Sequence, residues 1–139
     1  MKNILVLCTG NSCRSQLAHG YLEKLVEGKA NIYSAGIETH GVNPRAIKVM
    51  AQEGIDISGH TSNLVDEYND VDFDYVITVC DHAKERCPVF PTKAYTFHQN
   101  FPDPAKSTGT EEEIMESFRN VREQVKLYCT QFVQAYLLS

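Results

Sequence analysis

Positive charge is scarce. The 139 residues carry 13 Lys and Arg against 18 Asp and Glu, a formal net charge of −5. That leaves no electrostatic footprint for nucleic acid or an anionic membrane. Long apolar runs are missing too. The N-terminal run Ile4-Leu5-Val6-Leu7 falls short of a signal-peptide core or a membrane span, and no later stretch suffices. The expectation is a cytoplasmic protein with no membrane partner. Repeats, low-complexity tracts and linkers are also lacking, so residues 1–139 read as one domain with room for a core. No Cys-x2-Cys pair and no Cys/His cluster at zinc-finger spacing occurs, so no metal site is assigned. A monomer is the default.

What is present is cysteine, in an odd number: Cys8, Cys13, Cys80, Cys87 and Cys129. In a reducing compartment such thiols are catalytic or redox-active more often than structural. The stretch Val6-Leu7-Cys8-Thr9-Gly10-Asn11-Ser12-Cys13-Arg14-Ser15 organises the rest. A buried strand ends at Cys8, a short polar loop follows, and a helix begins. Leu17, Tyr21, Leu22, Leu25 and Val26 form the apolar face of that helix.

A polar turn entering a helix turns backbone N–H groups inward and adds the positive end of the helix dipole, which makes an anion site. Residues Thr9, Gly10, Asn11, Ser12, Cys13 and Arg14 are the candidate oxyanion cradle. Arg14 grips a tetrahedral oxyanion with two parallel charge-assisted hydrogen bonds. The same field favours the Cys8 thiolate, the nucleophile, and Ser15 is placed to donate to it.

The spacing predicts strands near 3–7, 31–34, 73–79 and 94–97. Helices are expected near 15–26, from Pro44 to Gly54, over 61–68 and from Thr110 onward. Pro44 suits a first helical turn. Thr110 and Glu113 make a capping box. Ile114, Phe118, Val121, Val125, Tyr128, Phe132 and Tyr136 carry the buried face of the last helix, and Cys129 reads as core. Residues 81–86 are expected to form a helical turn or two. Alternation of strands and helices argues for an open, mostly parallel α/β sheet. Ligands bind such sheets beyond the carboxyl ends of the strands, where both Cys8 and Cys80 fall.

Cys-Thr-Gly-Asn-Ser-Cys-Arg-Ser resembles the loop of the low-molecular-weight protein tyrosine phosphatase superfamily. Its wording is similar to the thioredoxin-coupled arsenate reductase branch. The resemblance covers nearly the whole chain, including Ser34-Ala35-Gly36 and Asp103-Pro104. It implies a four-stranded parallel sheet in the order 2-1-3-4.

Cys80 and Cys87 stand seven residues apart. If the intervening segment were helical their α-carbons would lie about 10 Å apart, whereas a disulfide needs roughly 4.4–6.8 Å. Spacing alone leaves a redox pair and two unrelated thiols equally open. The resemblance implies that Cys8, Cys80 and Cys87 are a redox triad. Asp103-Pro104 taken alone is a common turn; by resemblance it is the acid loop, with Asp103 the proton donor. Ala105-Lys106 stands where phosphatases carry tyrosines, which argues against phosphotyrosine recognition. Some members hold potassium beside the loop with acidic ligands. Here His19 and Asn63 occupy matching places beside Asn11 and Ser34, so no strong potassium site is expected. His40, His60, His82 and His98 read as surface or satisfied polar residues.

The leading expectation is therefore reduction of arsenate to arsenite, with phosphate or sulfate as competing oxyanions, thioredoxin as reductant and no bound cofactor. One alternative is a phosphatase acting through a Cys8 phosphocysteine, an activity also compatible with a residual side reaction of the reductase. Another is a non-enzymatic redox-sensing or oxyanion-binding protein.

Overall fold

The computed structural model describes residues 1–80 and 93–137. Strand β1 (Lys2–Cys8) is followed by helix α1 (Arg14–Val26), strand β2 (Ala30–Gly36) and helix α2 (Pro44–Ala51). Strands β3 (Tyr75–Thr78) and β4 (Tyr95–His98) and the long helix α3 (Glu111–Tyr136) complete the order. The four strands form one parallel sheet in the order β2-β1-β3-β4, as the resemblance implies.

Alternation along β1 sorts the core. Ile4, Val6 and Cys8 share a cluster with residues of all three helices, among them Leu17, Met50 and Phe118. Leu5 and Leu7 face the other way, onto Ala35, Phe73 and Val76, with Tyr33, Val65 and Tyr68 against them. β1 is buried on both faces, as a central parallel strand must be.

The helix ends follow their local chemistry. The Asn43 side chain accepts from the Arg45 N–H, with Pro44 in the first turn of α2. At α3 the Thr110 hydroxyl accepts from the Glu113 N–H while the Glu113 carboxylate accepts from the Thr110 N–H. The α3 face is as expected at Phe118, Val121, Val125 and Phe132, and Cys129 is buried with them. Tyr136 is half-exposed, and Met115 and Val133 complete the seam. At the end of α1 both Glu27, with φ 48°, and Gly28, with φ 80°, take left-handed positions.

One expectation needs correcting. Residues 61–68 do not form an α-helix; only a short 3-10 turn, Val65–Tyr68, is present. Leu64 is extended and pairs with Gly36 in a parallel bridge. Two long-range bonds hold the segment open: the Asn63 N–H donates to Asn11 Oδ1 at 2.7 Å, and the Gly36 N–H donates to Asn63 O at 2.9 Å. These tertiary partners outbid the local periodicity. The expectation for residues 81–86 lies outside the described residues.

Candidate active site

The polar loop between β1 and α1 is anchored from outside along its length. Thr9 O accepts from the Glu38 N–H (3.1 Å), Gly10 O from the His40 N–H (3.2 Å), and Ser12 O from the Asn43 N–H (3.1 Å). Gly10 O also accepts from Ser62 Oγ, and Asn11 O from Gln16 Nε2. The carbonyls of residues 9–12 are all taken by donors from outside the loop, and a polar turn entering a helix is the setting in which backbone N–H groups form an anion nest. Helix α1 adds its unsatisfied first turn there. Its N-cap, Cys13, makes no side-chain cap bond, and no acidic residue stands in the first turn.

Asn11 is the pivot. It adopts φ 48°, a left-handed conformation that Asn tolerates better than most residues. Both ends of its amide are used: Nδ2 donates to Ser15 Oγ at 2.9 Å, and Oδ1 accepts from Asn63. Because Ser15 Oγ accepts from Asn11, its own proton is left to donate elsewhere. Gly36 is needed for space. A Cβ built there would lie 2.5 Å from Thr9 O and 2.9 Å from Asn11 N.

The structure gathers most of the expected site residues. Cys8, Thr9, Gly10, Ser12, Cys13, Arg14 and Asp103 line one small pocket of about 170 Å³, together with His40, Ala105 and Lys106. Arg14 is almost wholly buried, and its Nη1 donates to Phe101 O at 3.4 Å. Asp103, about one-fifth exposed, brings Oδ2 to 3.7 Å from Arg14 Nη2. Asp103 also caps its own turn, Oδ1 accepting from the Ala105 N–H at 3.0 Å. The turn reading and the acid-loop reading are thus compatible.

The thiols divide by environment. Cys8, Cys13 and Cys129 are buried and stand outside any disulfide. Burial first, then the negative charge of Asp103, push the Cys13 thiol up to about 12. Burial alone raises Cys129 further still. Neither is a thiolate near neutral pH. Cys80 lies two residues beyond β3, fully buried, and is disulfide-bonded. The pairing of Leu7 with Thr78, and the Val79 N–H donated to Leu7 O, put Cys8 and Cys80 at neighbouring strand ends. Cys87 lies outside the described residues.

The places matching a potassium site do not fit that ion. Asn11 Oδ1 is taken by Asn63, Ser34 Oγ is paired with His19 Nδ1 at 2.8 Å, and neither His19 nor Asn63 supplies a carboxylate. His40 and Lys106 were not singled out as pocket residues from sequence. His40 reaches the pocket because its backbone N–H is tied to Gly10, a contact with no local sequence signal.

Residues 3–137 match the family described as Low molecular weight phosphotyrosine protein phosphatase. An arsenate reductase of Bacillus licheniformis is 48% identical over 124 residues, 89% of each chain. One of Staphylococcus aureus is 44% identical over 131 residues, 94% of this chain and 95% of that one. A solved structure of an arsenate reductase in its oxidised state superposes with a TM-score of 0.82 at 34% identity, covering 97% of this chain and 98% of that one.

Proposed function

We propose that this chain, which belongs to the low molecular weight phosphotyrosine protein phosphatase family, reduces arsenate to arsenite with Cys8 as nucleophile. One observation carries the reading: Cys8, Arg14 and Asp103 converge on a single pocket walled by loop residues whose carbonyls point away from it. The relatives named arsenate reductase select the oxyanion.

Arsenate sits on the loop N–H groups and the Arg14 guanidinium. The Cys8 thiolate, receiving a hydrogen bond from Ser15, attacks arsenic and forms an S–As bond. The departing oxygen takes a proton from the Asp103 carboxyl and leaves as water. Cys80 then attacks the Cys8 sulfur. The S–As electron pair passes to arsenic, which leaves as arsenite, and a Cys8–Cys80 disulfide remains. Cys87 attacks Cys80, returning Cys8 as a thiolate and leaving a Cys80–Cys87 disulfide. An external dithiol of the thioredoxin type reduces that bond by exchange. Electrons balance: arsenic gains two and two thiols become one disulfide. Support comes from a Cys80 that is disulfide-bonded while Cys8 and Cys13 are not, and from the neighbouring strand ends that hold Cys8 and Cys80. We further propose that the chain works in the cytoplasm as a monomer.

The experiment is arsenite production from arsenate with thioredoxin, thioredoxin reductase and NADPH, comparing the unaltered chain with Cys87→Ser. Many turnovers in the first and about one or fewer per chain in the second support the cascade. Equal turnover removes Cys87 and points to a glutathione-type donor. No arsenite from either chain overturns the reductase reading.

A phosphatase remains the competing reading, because the family's name is a phosphatase's and the Cys8–Arg14–Asp103 set suffices for it. Against phosphotyrosine stands the pocket rim, built of Ala105 and Lys106 where an aromatic grip would be needed. Cys80→Ser separates the two: it spares hydrolysis of p-nitrophenyl phosphate and abolishes arsenate turnover.

A further inference from the structure

Behind the anion loop, on the outer side of α1, three side chains converge that the proposed reaction does not use. His19 and Glu23 are four residues apart on the helix and so share a face. His60 comes from the segment after α2, and its ring centroid lies 4.3 Å from that of His19. Glu23 Oε1 is 2.9 Å from His60 Nε2, and Glu23 Oε2 is 3.5 Å from His19 Nε2. One nitrogen or oxygen from each residue lies within 4.8 Å of the others.

The hydrogen-bond pattern settles which nitrogen of His60 carries the proton. Gln16 Nε2 donates to two carbonyls, Asn11 O at 3.1 Å and Thr61 O at 3.0 Å. Gln16 Oε1 is therefore the accepting end of that amide, and His60 Nδ1, 3.0 Å away, donates to it. In the neutral ring this leaves the Nε2 lone pair aimed at a carboxylate oxygen 2.9 Å away. Either a proton or a metal ion between them satisfies both atoms.

We propose that His19, Glu23 and His60 form a binding site for a divalent transition-metal ion of the zinc type. Two imidazoles and a carboxylate are the donor set that suits zinc and its neighbours; magnesium and calcium prefer all-oxygen sites. Both rings have their other nitrogen held from behind, His60 by Gln16 Oε1 and His19 by Ser34 Oγ at 2.8 Å. Such outer partners orient metal-binding histidines. Both histidine side chains are about one-sixth exposed and Glu23 is half-exposed, so the ion has a path from solvent and room for water ligands. A bound ion would pin α1 to residues 60–63. That is the segment whose Asn63 N–H holds Asn11 in the anion loop.

The test is a zinc titration by calorimetry on the full chain with Cys8 alkylated under native conditions, so that this thiol does not compete. Cobalt(II) absorption supplies a second readout, since nitrogen and oxygen ligands give visible d–d bands without the intense near-ultraviolet thiolate charge-transfer band. One ion per chain is expected, bound at least about tenfold more weakly by Glu23→Ala and by His60→Ala. Zinc should raise the melting temperature of the unaltered chain and not that of Glu23→Ala. His60→Ala also loses the Gln16 bond, so if it fails to fold, Glu23→Ala decides alone; that residue is a half-exposed helical position. Zinc bound with unchanged affinity by Glu23→Ala, or no stoichiometric binding by the unaltered chain, overturns the proposal.

Discussion

Arg14 Nη2 stands 3.7 Å from Asp103 Oδ2, joining the first turn of α1 to the turn that precedes α3. At that distance the two charges attract without sharing a tight hydrogen bond. The guanidinium remains able to turn its donors on an oxyanion. The carboxyl lines the same pocket as Cys8 and Arg14.

Arg14→Lys keeps the charge and loses the planar fork. Losing one charge-assisted hydrogen bond costs about 1.5–3 kcal/mol, which is roughly ten- to a hundredfold in kcat/KM. Steady-state arsenate reduction measures it. A variant with unaltered kcat/KM removes Arg14 from oxyanion binding.

Asp103→Asn retains an oxygen to accept from the Ala105 N–H, so its turn is preserved. It removes the carboxyl proposed as the proton donor. The expected loss in kcat is about 10²- to 10⁴-fold, with phosphate affinity kept or improved because a negative charge has left the pocket. Phosphate binding by calorimetry alongside turnover checks both. Parallel loss of binding and turnover would mean that Asp103 builds the pocket and does no chemistry.

Cys13 and Cys8 share the loop, and Cys8 is the proposed nucleophile. With its pKa near 12, Cys13 stays a thiol in mildly alkaline solution, and buried Cys129 does likewise. Iodoacetamide under native conditions is expected to mark Cys8 well before either. Peptide mass spectrometry after a short exposure reads the order. Labelling of Cys13 first would reverse the assignment of the nucleophile.

Gly36→Ala and Gly10→Ala separate a rigid neighbour from a yielding one. At Gly36 the new methyl meets backbone, Thr9 O and Asn11 N, so the loop itself must shift. A destabilisation of about 1–3 kcal/mol follows. At Gly10 it meets the ring of His40, 2.6 Å from Nδ1. That side chain is more than half exposed and can swing away. The stability loss is expected to be the smaller of the two. Denaturant unfolding of both variants checks the order, and equal losses would show that His40 is as fixed as the backbone.

The sequence by itself determined the parts whose signals are local. A cysteine ending an apolar strand, a polar turn and a helix carrying arginine in its first turn need only a few neighbouring residues to be read. So do the capping box of Thr110 and Glu113 and the apolar seam from Phe118 to Phe132, because caps and helical period are short-range physics. Asp103-Pro104 was legible as a turn, and its role followed from resemblance. Tertiary structure decided the rest. Residues 61–64 carry a helix-like pattern yet lie extended, because Asn11 and Gly36 offer hydrogen bonds that no local helix supplies. His60 looked like a surface histidine, and only the packing of its segment on α1 brings it to His19 and Glu23. Likewise the span from Arg14 to Asp103 is set by how α3 and its leading turn pack on the sheet. Such convergences depend on the summed geometry of elements distant in the chain, which no local spacing encodes.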